Sequence, residues 1–263
     1  MPVANLNGTE IHWRDAGSGS SAVVLLHAFP LHSGMWTRQV AALERKHRVI
    51  ALDYRGLGKS GTPPEASTLD LLAGDVRALL AHLRVGRAAV AGLSMGGYLA
   101  FELYRQAPGL FRGIALCDTK AGADDEAGKA NREKFARTAL EKGLGWVADE
   151  MVPKLLRPGA DAAVVKEVRH LILDGTPAGV AAAQRGMAKR QDSIPTLATI
   201  ACPALVIVGA EDGMTPPAEA RKIADGVKGA KLVTIPDAGH LANVENPAAF
   251  DAALTAFVDG LPA

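Results

Sequence analysis

The sequence predicts an α/β fold: a mostly parallel central sheet with helices on both faces, interrupted once by a block of helices. Three observations carry this. Short apolar runs alternate with helix-like segments through residues 22–117 and again through 204–259, the pattern of parallel strands joined by crossover helices. The alternation stops between Thr119 and Pro195, where the chain is rich in alanine and charge and has no strand-like run. Between an apolar run and a helix-like one stands the turn Gly92-Leu93-Ser94-Met95-Gly96-Gly97.

Taken in order, residues 2–5 and 10–14 read as two strands about Asn7-Gly8, a dipeptide suited to a tight hairpin. Ala22–His27 is a buried strand. A helix is expected near Met35–Glu44, a strand at Arg48–Leu52 and a helix over Leu69–Leu83. The early Asp70 and Asp75 of that helix suit the positive end of its dipole. Arg87–Gly92, small and β-branched, is a central strand. The helix after it, about Met95–Gln106, is stopped by Pro108. Arg112–Cys117 is the next strand. Between 119 and 195, breaks are expected at Gly143, Gly145, Pro153, Pro158-Gly159, Gly175 and Pro177. Residues 1–118 and 196–263 are therefore assigned to the core. Residues 119–195 are assigned to an inserted helical lid over the sheet edge, the alternative being a plain helical subdomain with no gating role. Alternation resumes with strand Ala204–Gly209, helix Pro217–Gly226, strand Lys231–Ile235 and helix Pro247–Asp259.

Composition narrows the function. Of 263 residues, 48% are hydrophobic and 22% charged, with a net charge of +1, an ordinary globular balance. Without a basic excess or run, neither nucleic acid nor an anionic membrane is an expected partner. The longest apolar stretches, such as Ala88–Leu93 and Ala204–Val208, are strand-length and fall short of the roughly 20 residues of a spanning helix. Met1–Arg14 lacks the pattern of a secretory signal. Cys117 and Cys202 are too few for a disulfide framework and lack metal spacing, so they read as buried free thiols in a reducing, cytoplasmic compartment. Neither metal nor cofactor is expected. Oligomeric state is not legible.

The turn at Ser94 is the most informative stretch. Gly92-Leu93-Ser94-Met95-Gly96 fits G-x-S-x-G between a predicted strand and a predicted helix, the context that motif requires. Such a turn strains the serine toward positive φ and leaves no room for a Cβ two residues before or after it. Gly97 is expected to let the helix approach the strand. Ser94 is therefore the candidate nucleophile. His27-Ala28-Phe29-Pro30 follows an earlier strand. Its Phe29 N–H, with the Met95 N–H, forms the candidate oxyanion hole. His27 is read as holding the loop's shape; His12, His32, His47, His82 and His170 are read as surface or local packing residues. The base and acid are sought downstream. Two predicted strands end at Asp212 and shortly before His240, the same sheet edge as Ser94, where sites in open α/β sheets form. His240 is the candidate base and Asp212 the acid that orients it. Asp118, at the end of another strand, is the main rival; Glu211 is one residue off, and Asp237 is too near His240. Asp53 and Arg55 read as ties between loops.

Together these residues resemble the α/β-hydrolase superfamily across essentially the whole chain. The resemblance rests on His27–Pro30, Asp53–Ser60 (D-x-R-G-x-G-x-S), Gly92–Gly96, Asp212 and Gly239-His240. Within it, 211–217 and 238–247 look most like small lid-bearing carboxylesterases and 3-oxoadipate enol-lactonase-like hydrolases. The resemblance implies cofactor-free hydrolysis of a small-molecule ester or lactone. Ala28 departs from the usual glycine of H-G-x-P but removes no backbone donor. Haloalkane dehalogenases carry Asp at the nucleophile position, where this chain has Ser94; hydroxynitrile lyases and carbon–carbon hydrolases keep serine. A perhydrolase-like activity and a ligand-binding receptor with a vestigial triad are the further readings. Trp146, Met187 and Leu241 are substrate-pocket candidates, with Phe135 and Met151; the alternative is that the lid residues simply pack the lid on the sheet. An enol-lactonase needs a cation for its substrate's carboxylate, and Arg132, Arg137, Arg157, Arg169 and Arg185 are available.

Overall fold

The chain enters the sheet through a hairpin. Strand β1 (Val3–Leu6) pairs antiparallel with β2 (Thr9–Ala16), Leu6 opposite Thr9, and Asn7 and Gly8 both take positive φ, 50° and 78°. The computed structural model describes residues 2–61 and 63–262. After β3 (Ala22–Leu26) a single turn of 3-10 helix (Ser33–Trp36) leads into α1 (Thr37–Leu43). Then follow β4 (Arg48–Leu52), α2 (Leu69–His82), β5 (Ala88–Leu93), α3 (Met95–Gln106) and β6 (Phe111–Cys117). Four helices come next: α4 (Glu126–Leu155), α5 (Ala162–Leu173), α6 (Pro177–Ala188) and α7 (Ile194–Leu197). The chain closes with β7 (Ala204–Gly209), α8 (Pro217–Gly226), β8 (Lys231–Ile235), α9 (Ala242–Glu245) and α10 (Pro247–Asp259).

The eight strands lie in the order β1-β2-β4-β3-β5-β6-β7-β8. β2 pairs antiparallel with β1 and β4; every other pairing is parallel. Every residue of β3, β5, β6 and β7 is buried, as expected of parallel strands covered by helices on both faces. Because these strands run the same way, β5, β6, β7 and β8 deliver Ser94, Asp118, Asp212 and His240 to one edge.

The inserted helices dock on the loops at that edge. The Ser67 N–H donates to Ala182 O (2.9 Å), and the Thr176 hydroxyl to Gly56 O (3.1 Å). The approach requires glycine: a Cβ on Gly179 would stand 1.7 Å from Gly56 O, and one on Gly186 1.8 Å from Ser67 O. Arg38 of α1 forks onto Glu167 of α5 with two 2.7 Å bonds. Two expected breaks do not occur. α4 continues through Gly145 and Pro153, and leaves helical geometry only at Gly143 (φ 75°, ψ −175°). Pro153 stands two residues before the end of the helix, so its missing N–H costs one bond of the last turn rather than dividing the helix. The four-residue α9 is too short to show periodicity and was not expected.

Asp53 and Arg55 do tie loops together. The buried Asp53 carboxylate accepts from Ser33 N (2.9 Å) and Lys59 N (3.0 Å). Arg55 pairs with Asp75, which also accepts from Asn7 Nδ2 (2.8 Å). Cys117 is fully buried, Cys202 partly, and both are free. No helix of the described residues is long and apolar enough to cross a membrane. Among those residues no group of three or more His, Cys, Asp or Glu is placed to hold a metal ion.

Candidate active site

Ser94 sits between β5 and α3 with φ 55° and ψ −113°, a conformation that L-residues rarely adopt and that clusters at functional sites. The flanking glycines are sterically required. A Cβ on Gly92 would lie 2.2 Å from Gly96 O, and one on Gly96 2.1 Å from Leu26 O. Gly97 makes room for something other than the expected strand: its Cβ would meet the Thr119 side chain at 2.4–2.6 Å. That threonine uses the space, its Oγ1 donating to Ser94 O (2.8 Å).

The structure brings Ser94, His240 and Asp212 together across two long stretches of chain. His240 Nε2 lies 2.7 Å from Ser94 Oγ, and His240 Nδ1 lies 3.0 and 2.9 Å from the two Asp212 oxygens. A carboxylate can only accept, so Nδ1 carries the proton and Nε2 is left to accept from the serine hydroxyl. Asp212 is held by more than the imidazole. It accepts from Met214 N (2.8 Å), Thr215 N (2.9 Å) and Thr215 Oγ1 (2.6 Å). Burial pushes its carboxyl up, but the hydrogen bonds from His240 and Thr215 outweigh burial and hold it below the usual carboxylate range. All three residues are buried, Ser94 the most open at 8% exposed. Asp118 is not among the partners of His240. Glu211 is exposed. Thr215 and Thr119 were missed by the sequence reading. The only local signal was for Thr215, in the Asp212 to Thr215 spacing of a side chain capping its own turn.

The loop after β3 stands beside Ser94. Met95 opens α3, so its N–H has no partner within the helix. Among the described residues neither the Met95 nor the Phe29 N–H donates to another main-chain group. Both residues are buried, which leaves two desolvated donors unused. Ala28 is fully buried, and its N–H points to Met35 Sδ (3.2 Å). His27 holds the loop as expected. Its Nδ1 donates to Ala28 O (3.0 Å), its Nε2 accepts from Tyr54 N (3.1 Å), and its ring stacks on Tyr54 with centroids 3.6 Å apart. Nε2 accepts only in the neutral ring. Burial accordingly lowers the His27 pKa from 6.5 to about 4. The unfolded chain therefore takes up this proton first. The contribution of neutral His27 is complete above pH 6.5 and is lost as pH falls toward 4, about 3 kcal/mol in all. Thermal melts between those limits check this. His27→Asn is expected to be less stable at neutral pH and to lose that part of the acid slope; an unchanged slope removes His27 as its source.

Of the other histidines, His47 is a buried packing residue, with Ser21 Oγ at 2.5 Å and Asp259 at 2.8 Å. The pocket candidates separate. The Phe29 ring meets Phe135 edge-on (6.1 Å), and Phe135 packs on Trp146 (4.9 Å), so an aromatic row runs from the loop after β3 into α4. Met187 is buried with its sulfur against Arg132 (3.4 Å). Met151 is buried. Leu241 has no exposed surface, and its N–H donates to Leu155 O (3.1 Å); it fastens the chain after His240 to α4 and offers no face to a ligand. Among the arginines, Arg137 and Arg185 pair with Glu133, Arg169 with Asp149 and Arg157 with Glu245. Arg132 differs. It shares Asp124 with Arg190 and Lys120, and Arg190, not singled out from sequence, lies over the Tyr98 ring (4.4 Å) one turn beyond Ser94. Burial pushes the Asp124 carboxyl up, but the bonds from these two arginines prevail and hold it well below the usual range.

A serine on a strained strand-to-helix turn, with a histidine and an acid from later strand ends, defines an enzyme of the hydrolase class. The chain belongs to the alpha/beta hydrolase fold family, whose model matches residues 21–247. It is 31% identical over 238 residues to a 3-oxoadipate enol-lactonase 2 of Acinetobacter baylyi, covering 89% of this chain and 87% of that protein. Its structure is similar to that of a thermophilic esterase from Thermogutta terrifontis, with a TM-score of 0.96, 36% identity and 98% of each chain covered. It is also similar to an enol-lactonase from Burkholderia xenovorans, with a TM-score of 0.90, 32% identity, and 98% of this chain and all of that one (100%) covered.

Proposed function

We propose that the protein is a serine hydrolase that cleaves a small carboxylic ester or lactone through an acyl-enzyme on Ser94. The observation that carries this is the unbroken line Ser94 Oγ, His240 Nε2, His240 Nδ1, Asp212, with spacings of 2.7 and 2.9–3.0 Å. His240 takes the hydroxyl proton as Ser94 Oγ attacks the carbonyl carbon. The Phe29 and Met95 N–H groups receive the oxyanion. His240 then hands its proton to the leaving alkoxide, which in a lactone stays attached. Water, deprotonated by His240, releases the acid and restores Ser94. Asp212 keeps the imidazole in the tautomer this needs and stabilises the imidazolium. The helices of residues 119–195 act as a lid, and Phe135 and Trp146 line the substrate space beside Phe29.

The test is turnover of short-chain p-nitrophenyl esters beside a panel of lactones, with mass analysis after an organophosphonate. The expected result is clear turnover and one adduct on the peptide bearing Ser94. No turnover, or labelling elsewhere, overturns the reading and leaves ligand binding in its place.

One observation favours an anionic lactone of the enol-lactonase type. Three cations, Lys120, Arg132 and Arg190, converge on the single carboxylate of Asp124, an excess of positive charge close to the nucleophile helix. Phe135 is one turn along α4 from Arg132 and reaches Phe29. For a carboxylate-bearing lactone, Arg132→Met is expected to raise KM on the order of tenfold, the value of one charge-assisted bond. A neutral ester should be unaffected, and equal effects on both refute the assignment.

A further inference from the structure

Residues 117–119 touch both Ser94 and β7, the strand that leads to Asp212. The Ser94 N–H donates to Cys117 O (2.9 Å), and Thr119 Oγ1 donates to Ser94 O (2.8 Å). Both main-chain groups of the strained serine are thus held by the two residues flanking Asp118. Asp118 itself faces the other way. Its N–H donates to Ile207 O (2.8 Å), and its Oδ1 accepts from Gly209 N (2.7 Å), both in β7. The chain makes this reversal with φ 42° at Asp118, a left-handed conformation uncommon outside glycine. Gly209 is the pivot of the acid side. Its carbonyl accepts from Asp212 N (3.2 Å), and a Cβ on it would stand 2.0 Å from Gly239 O, next to His240. Asp118 is fully buried, and among the described residues no donor meets hydrogen-bonding geometry at its Oδ2, although the main chain of Ala242, two residues after His240, stands near enough to favour its charged form. A buried, strained acid whose Oδ1 is bonded to this pivot calls for a functional account.

We propose that Asp118 is a positioning residue that fixes the acid-bearing loop, residues 209–215, against the nucleophile through its hydrogen bond from Gly209 and not through charge. The proposal rests on the serine-hydrolase reading above. The geometry removes the competing role: among the described residues His240 Nδ1 faces only Asp212 and Thr215, so Asp118 is not placed to orient it. Burial, with Asp212 close by, pushes the Asp118 carboxyl well above the usual range. Asp212, by contrast, is held below that range by its bonds from His240 and Thr215, so the two neighbouring carboxyls are pushed in opposite directions.

The experiment compares Asp118→Asn and Asp118→Ala in the full chain, by kcat and KM on a short p-nitrophenyl ester and by thermal melting. Asparagine keeps the acceptor for Gly209 N and carries no charge. Its kcat is expected within about threefold of wild type, with the acid limb of the pH profile unmoved. Alanine leaves the Gly209 N–H unpaired and frees the loop. Its kcat is expected to fall on the order of 10²-fold, the cost of about 1 Å of misplacement, with KM little changed and the protein folded. If alanine does not fold, Asp118→Leu, nearly isosteric with asparagine, takes its place. An asparagine variant as slow as alanine overturns the proposal, because charge would then be needed. So does an alanine variant as fast as wild type. Absence of wild-type turnover overturns the hydrolase reading and this one with it, whereas wild-type turnover with an inert Asp118→Ala overturns this one alone.

Discussion

Replacing Ser94 by alanine is expected to lower kcat on a good ester substrate on the order of 10⁵-fold, leaving the residual rate that binding and oxyanion donors provide alone. The change removes one atom, the Oγ whose hydrogen bond goes to His240 Nε2. It leaves the backbone of the turn untouched, since the strained φ of 55° at position 94 is held by Cys117 O and Thr119 Oγ1 rather than by the serine side chain. The melting temperature should therefore stay within a few degrees of wild type, a shift worth under about 1 kcal/mol. Rate loss without loss of stability assigns the chemistry to the hydroxyl. A variant that retains the wild-type rate withdraws Ser94 as the nucleophile, and a variant that melts much earlier makes the rate uninformative about chemistry.

Asp212→Asn is expected to cost on the order of 10⁴-fold in kcat, and the reason is a tautomer. The carboxylate now accepts from four directions: His240 Nδ1, Met214 N, Thr215 N and Thr215 Oγ1. An asparagine has one accepting oxygen. Turned toward the two main-chain N–H groups, it presents its NH2 to His240 Nδ1. The imidazole then carries its proton on Nε2, facing Ser94 Oγ, and cannot take the serine proton. Turned the other way, it sets its NH2 against the Met214 and Thr215 N–H groups and loses their bonds in a buried site. Steady-state kinetics with the ester used for Ser94→Ala provide the check, and KM should move little. A loss under about tenfold, well below this expectation, would mean that Asp212 is not the orienting acid.

The legible parts of the site share a property. Gly92, Ser94 and Gly96 are set by a local backbone conformation that excludes most side chains, so the constraint is written at fixed spacing in the chain. The hairpin at Asn7-Gly8 is legible for the same reason. Asp212 and His240 were found differently, as residues following two apolar runs, and that argument works because parallel strands deliver their carboxyl ends to one edge. It could not choose between Asp212 and Asp118, since both follow such runs. The choice is made by the Met214 and Thr215 donors and by the rotation of Asp118 toward Gly209. The insertion was legible as helical, but not in its divisions: Gly145 and Pro153 are strong breakers on paper, yet the chain bends only at Gly143.

The sequence by itself determined the alternation of strand and helix and the residue types at the turn that carries Ser94, because each is a matter of local propensity, periodicity or steric room. Only the tertiary structure decided which acid faces the histidine, that Thr119 and Thr215 brace the site, that Leu241 packs while Phe135 reaches Phe29, and that Arg132 shares a carboxylate with Arg190. These are contacts between segments far apart in the chain, and their energies depend on distances that no local pattern of residues encodes.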